Sequence, residues 1–171
     1  MSFPRTSAYL IALPLQLLST ATPAADTLCQ DHEKTLFSCR SGSKTIAVCA
    51  SPELSPRAGY VQFRYGTPGS DDIIRWPEAR YPRQFVSKGN VFLAGRIGIF
   101  LRFRMDNTSF IVFSSPLATN GPNSRDSGLV IQHRALLQSK HRCDMPTKFQ
   151  FEDLPLPSEG VVAVSGINHR Q

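Results

Sequence analysis

No apolar stretch of this chain is long enough to cross a bilayer as a helix. The longest, Tyr9–Leu18, runs for about ten residues and is interrupted by Pro14, whereas a spanning helix needs about 20. No Cys-x-x-Cys occurs, which removes the usual redox-active dithiol, and no Gly-x-Ser-x-Gly elbow is present to expose a serine nucleophile. The histidines, His32, His133, His141 and His169, have neither helical nor hairpin ligand spacing, so no metal and no cofactor is expected. Prolines and glycines are spread through the chain, which argues against long helices. There is no internal repeat, no low-complexity tract and no linker that would divide the chain. A non-enzymatic protein is the expectation.

What is present begins with the first 25 residues. Arg5, the apolar stretch Tyr9–Leu18 and the small residues of Thr22-Pro23-Ala24-Ala25 read as an export signal cleaved near Ala24 or Ala25. This predicts a periplasmic or secreted protein in which residues 26–171 form a single β-rich domain. Its tail after about residue 157 either adds a last strand or hangs free. A domain of this size buries roughly 68–70% of the surface its unfolded chain exposes, so it does not depend on disulfides for a core. Cys29, Cys39, Cys49 and Cys143 nevertheless all lie beyond the cut, where an oxidising compartment pairs them. Asp26-Thr27-Leu28 lacks the small residue that lipidation of Cys29 would need, so a released, soluble product is expected.

The apolar residues alternate in short runs, the pattern of half-buried strands. Leu36–Arg40 and Thr45–Ala50 flank the turn Ser41-Gly42-Ser43-Lys44. Residues 60–66 place Val61, Phe63 and Tyr65 on one face and Gln62 and Arg64 on the other. Ile73–Trp76 is a short strand stopped by Pro77. Ile97–Arg104 and Ser109–Ser114 form a hairpin through Met105-Asp106-Asn107-Thr108, where Asp and Asn tolerate positive φ. Here Ile97, Ile99, Leu101 and Phe103 share a face, as do Phe110 and Val112. Gly128–Arg134 and Lys148–Glu152 read as further strands, Pro116–Ser127 as an exposed loop, and Arg134–Arg142 as one or two helical turns. Strands at this spacing predict an all-β fold, an antiparallel β-sandwich or a small β-barrel with two disulfides.

Strand parity constrains the cysteines. With two residues in the first turn, Cys39 falls opposite Ile46, so a direct Cys39–Cys49 bridge is disfavoured. Two pairings remain: Cys29–Cys39 with Cys49–Cys143, or Cys29–Cys49 with Cys39–Cys143.

The run Phe37-Ser38-Cys39-Arg40-Ser41-Gly42-Ser43-Lys44-Thr45-Ile46-Ala47-Val48-Cys49-Ala50-Ser51 continues through Leu54-Ser55-Pro56 into Gly59-Tyr60-Val61-Gln62-Phe63-Arg64-Tyr65-Gly66. It resembles a group of small, secreted, uncharacterised bacterial proteins that share the Cys39/Cys49 hairpin and the Gly59–Gly66 strand. That resemblance implies export and a common fold, with no activity attached. Phe37-Ser38-Cys39, Gly42-Ser43-Lys44 and the late Cys143 are also similar in outline to inhibitors of C-type lysozyme, small β-barrels with a cysteine of the first strand bridged to one near the chain end. The Ser-Gly-x-x-Tyr loop and the Trp-x-Lys-Gly-x-Glu-Ala segment of those inhibitors are missing, so the likeness is one of architecture.

The formal charge is +6, and Arg5 is the one charged residue in the leader. Nine basic residues (Arg57, Arg64, Arg75, Arg80, Arg83, Lys88, Arg96, Arg102 and Arg104) face only Asp71, Asp72 and Glu78 between positions 57 and 104. Tyr60, Tyr65, Trp76, Tyr81 and Phe85 interleave with them. Outside a cell, such a region suits an anionic glycan, a lipid headgroup or an acidic protein rather than nucleic acid, because arginine forks meet carboxylate and phosphate in bidentate fashion. The candidate binding residues are Arg64, Arg75, Trp76, Arg80, Tyr81 and Arg83. The expected function is an exported binding protein for an anionic envelope component or an acidic protein partner. The alternatives are an inhibitor or immunity protein against a cell-wall hydrolase, and a small envelope hydrolase using carboxylates such as Glu53, Asp71, Asp72 and Glu78. Against any site stands the simpler pattern in which Arg64, Arg102 and Arg104 merely alternate outward from a sheet whose aromatics face the core.

Overall fold

The computed structural model describes residues 27–78, 83–93, 96–116, 125–145, 149–151 and 153–161. The leader expected over residues 1–25 lies outside them. Among the described residues ten strands follow one another: β1 (Lys34–Ser41), β2 (Lys44–Ala50), β3 (Val61–Gly66), β4 (Ile74–Trp76), β5 (Val86–Leu93), β6 (Arg96–Met105), β7 (Thr108–Pro116), β8 (Arg125–His133), β9 (Leu136–Arg142) and β10 (Ser158–Val161). A single 3-10 turn, Arg83–Phe85, precedes β5. The strands make two sheets, one ordered β1-β2-β3-β4 and the other β10-β5-β6-β7-β8-β9. Neither closes on itself, so the fold is a sandwich and not a barrel. Every ladder is antiparallel except that of β10, which returns from the tail to lie parallel to β5.

Period-2 patterning builds the space between the sheets. Phe37, Ile46, Val48, Phe63 and Tyr65 from the smaller sheet meet Val86, Leu101, Phe103, Phe110, Val112 and Leu129 from the larger, and Phe151, Leu154 and Leu156 close the end. Phe63 sits at the centre, its ring 5.0 Å from that of Phe110 and 5.6 Å from that of Phe103. Each such buried side chain stabilises the fold by roughly 1.5–3 kcal/mol. Leu101, Phe103, Phe110 and Val112 share this face as their parity requires, whereas Ile97 at the far end of β6 is 58% exposed. The larger sheet carries a second apolar cluster on its other face: Val91, Phe100, Ile111, Phe113 and Val130. Phe100 folds over its cross-strand partner Gly89, where a Cβ would collide with the ring.

The hairpins explain themselves locally. β1 and β2 turn through Gly42-Ser43, with Gly42 at φ 62°, and Cys39 does lie opposite Ile46. β6 and β7 turn at Asp106, which adopts φ 52°. Three expectations fail. The segment 134–142 is not helical: Arg134 and Ala135 take φ of 49° and 64°, turn the chain, and send Leu136–Arg142 back along β8 as β9. Pro116–Ser127 is not all loop either, because β7 runs to Pro116 and β8 starts at Arg125, pairing in register from Pro116↔Arg125 onward. The middle of that connection, 117–124, lies outside the described residues. The strand expected at Lys148–Glu152 is absent over 149–151.

Both disulfides form, as Cys29–Cys49 and Cys39–Cys143. The second spans 104 residues and ties the end of β9 to β1, where the Asp144 amide also donates to the Arg40 carbonyl.

Candidate functional site: a polar cleft under the N-terminal segment

β3 is buried along both faces. One face is the core just described, and the other is covered because Cys49, the cross-strand neighbour of Gln62, is bonded to Cys29. That bond lays residues 27–33 across the polar side of β3. The segment turns on itself: the Glu33 amide donates to the Gln30 carbonyl, and the Gln30 amide donates to Glu33 Oε2 at 2.7 Å.

Glu33 then meets Arg64. Arg64 Nη2 lies 2.6 Å from Oε1 and Nη1 2.8 Å from Oε2, and the Tyr60 hydroxyl donates to Oε1. Arg64 also donates through Nε to Gln62 Oε1 and through Nη1 to the Leu28 carbonyl. Gln62 passes the chain on, its Nε2 donating to the Pro77 carbonyl at 2.8 Å. The two charged side chains are 7% and 0% exposed, so this is a buried ion pair with its hydrogen-bonding capacity filled. Burial alone would raise the Glu33 pKa, but the hydrogen bonds from Arg64, Tyr60 and the Gln30 amide, with the Arg64 charge, outweigh it and hold the carboxyl below its ordinary value.

The glycines that bound this strand are required by close approach. Gly59 has φ 81°, and a Cβ there would lie 2.7 Å from Leu54 Cα. A Cβ on Gly66 would lie 2.9 Å from Ile73 Cα. The whole Gly-Tyr-x-Gln-aromatic-Arg-aromatic-Gly pattern is therefore one structural device: alternate residues for the core, alternate residues for the buried polar network, and glycines at the crossings.

β4 adds the outer wall. Arg75 is the cross-strand partner of Arg64 and shares its face. Like charges directly opposed are unfavourable unless neutralised. Arg64 is neutralised by Glu33, whereas Arg75 is exposed and reaches only the Ile73 carbonyl, at 3.4 Å. Gln30, Glu33, Tyr60, Gln62, Arg64, Arg75 and Glu78 line a cleft of about 170 Å³. Its floor is internally satisfied, and its rim presents the Arg75 guanidinium, the Glu78 carboxylate and the Gln30 side chain.

Two of the six candidate residues, Arg64 and Arg75, come together here. Trp76 does not join them: it points to the core side, its Nε1 donating to the Arg104 carbonyl at 2.7 Å and its ring 5.8 Å from Phe85. Arg80 and Tyr81 lie outside the described residues, as does the side chain of Arg83. Other members of the basic stretch are engaged elsewhere. Arg102 and Arg104 pair with Glu159 of β10, which also accepts from Ser87, and Lys88 donates to the Leu154 carbonyl. Charge concentration in sequence thus overstated the cationic surface; Arg57, Arg75 and Arg96 stay exposed without an ion pair among the described residues.

Cys29 Sγ, Cys49 Sγ and a Glu33 oxygen lie within 4.8 Å of one another, a grouping that would draw attention as a metal set. The sulfurs are bonded to each other and the carboxylate is saturated by donors, so no ligand atom is left. A second titratable cluster sits where β9 crosses the smaller sheet. The Tyr65 hydroxyl is 3.2 Å from His141 Nδ1, His141 Nε2 is 3.1 Å from Ser139 Oγ, and Lys44 Nζ lies over the Tyr65 ring. Burial, then the Lys44 charge, lower the His141 pKa.

These features define a disulfide-bonded, two-sheet β protein with a polar cleft whose lining includes a buried ion pair. No family model matches the chain, nor does any curated protein or solved structure.

Proposed function

We propose that this chain is an exported binding protein that engages an anionic group, on an envelope glycan, a lipid headgroup or an acidic protein, through the cleft bounded by Arg75. The observation that supports the reading is Arg75 itself: an exposed guanidinium on β4, set opposite a second arginine whose charge is already used, with no carboxylate paired to it among the described residues. Such a group is free to take a carboxylate or phosphate in bidentate fashion. Glu78 and Gln30 at the rim add an acceptor and an amide, so a ligand carrying hydroxyls or amides beside its anion suits the cleft better than a bare ion. The two disulfides fit an oxidising, exported location.

The test is binding of the disulfide-bonded protein to anionic vesicles and to peptidoglycan fragments across a salt series. Affinity should fall as salt rises, and Arg75→Glu should weaken it at least tenfold at low salt while leaving the fold intact. Salt-insensitive binding, or Arg75→Glu binding as well as the parent, would overturn the proposal.

A further inference from the structure

A second arginine, Arg125, has its fork fixed by its neighbours. Arg125 opens β8, partly buried, with its guanidinium over the Phe149 ring (6.0 Å to the centroid) and its Nε donating to Ser114 Oγ at 2.6 Å. Those two contacts fix the plane of the fork and consume its inner nitrogen. Among the described residues Nη1 and Nη2, the edge that meets a planar anion in bidentate fashion, have no partner. Ser127 lies two residues along the same face and is the cross-strand partner of Ser114. It is 3% exposed, and its Oγ is the one buried side-chain polar atom among the described residues with no hydrogen bond. A buried hydroxyl left unmade is costly, and such an orphan asks for a missing partner.

The nearest acid in sequence does not supply it. Asp126 projects to the other face of the sheet, where it meets Lys140 and Arg142 at 3.5 Å. Cation, hydroxyl and aromatic shelf are thus assembled with no counter-ion among the described residues.

We propose that Arg125, Ser114 and Ser127 form a carboxylate-binding subsite, distinct from the Arg75 cleft: the Nη edge takes the two carboxylate oxygens and the Ser127 hydroxyl donates to one of them. A carboxylate is favoured over phosphate because one guanidinium edge and neutral hydroxyls balance a single planar charge.

The experiment titrates sodium acetate into the isotopically labelled, disulfide-bonded chain at constant ionic strength, following the Arg125 Nε–H and the amides of Ser114, Ser127 and Phe149. Saturable shifts confined to these groups are expected, with chloride producing none. Ser127→Ala should weaken acetate roughly three- to tenfold and yet raise the melting temperature of the ligand-free protein, because it removes an unsatisfied buried hydroxyl. Arg125→Lys, which keeps the charge but not the fork, should cost at least tenfold. Arg75→Glu should change nothing here, which separates this site from the cleft. The proposal is overturned by non-saturating shifts, by inorganic phosphate saturating the site where acetate does not, or by Ser127→Ala raising stability with acetate binding unchanged.

Discussion

Replacing Glu33 with glutamine removes one charge and almost no volume, and it should be among the most damaging single changes in the chain. The carboxylate accepts two bonds from Arg64, one from Tyr60 and one from the Gln30 amide. In Glu33→Gln the guanidinium of Arg64 stays buried with no counter-charge, a situation that costs about 3–5 kcal/mol. For a domain of this size each kcal/mol lowers the melting temperature by roughly 2–4 °C, so a drop of about 6–20 °C is expected. Replacing both partners by methionine should recover much of that loss, because a well-packed apolar pair avoids desolvating two charges. Thermal and urea unfolding of Glu33→Met, Arg64→Met and the double variant give the coupling energy directly. The acid limb provides a second readout. The carboxyl titrates below its ordinary value when folded, so the unfolded chain takes up a proton first as pH falls. The stabilisation is complete above the ordinary carboxylate range and is lost as pH drops through the folded value. Glu33→Gln should flatten that part of the profile. A cost under about 1 kcal/mol, or strictly additive effects at Glu33 and Arg64, would refute the claim that a buried pair anchors the N-terminal segment.

Other consequences follow from the same structure. His141, with its pKa lowered by burial and by Lys44, stays neutral in the folded state while the unfolded chain protonates near pH 6.5. Stability should therefore decline as pH falls below that point, and His141→Gln should remove this step from a pH series of denaturation midpoints. Ala135→Gly should stabilise the protein by about 1 kcal/mol, because the alanine holds φ 64° at a steric cost glycine does not bear; a loss of stability on urea unfolding would contradict the turn geometry. Gly59→Ala should cost roughly 2–4 kcal/mol, since the new methyl group meets both a left-handed backbone and the Leu54 backbone at 2.7 Å, and unchanged thermal stability would show that the crossing is not tight.

Where residues near in sequence decide the structure, the sequence was readable. The β1–β2 and β6–β7 hairpins follow from alternation and from Gly42 and Asp106, which supply the positive φ their turns need. The β8–β9 turn was not readable, because Arg134-Ala135 carries none of the Asn or Gly signal and Leu136-Leu137 reads equally well as helix. The second apolar face of the larger sheet was hidden for another reason: in Ile97-Gly98-Ile99-Phe100-Leu101-Arg102-Phe103 the second parity holds Gly98, Phe100 and Arg102, so Phe100 alone signals it. At the cleft, parity correctly set Gln62 and Arg64 together and away from Phe63. Parity could not say what covered them, because Glu33 lies 31 residues upstream and is brought over β3 by the β1–β2 pairing that begins at Lys34 and by the Cys29–Cys49 bond. Trp76 was grouped with the arginines by counting aromatics without asking which side of β4 each occupies, and it faces the core side.

The crossed order of the sulfur bridges, first cysteine to third and second to fourth, carries an obligation for biogenesis. A polypeptide that emerges amino end first presents Cys29, Cys39 and Cys49 together, long before Cys143 appears. Any bond that Cys39 makes early with either neighbour has to be undone by thiol exchange once the last cysteine arrives. A host lacking a catalyst for that reshuffling should accumulate scrambled isomers, whereas one that supplies it should deliver a single, homogeneous product.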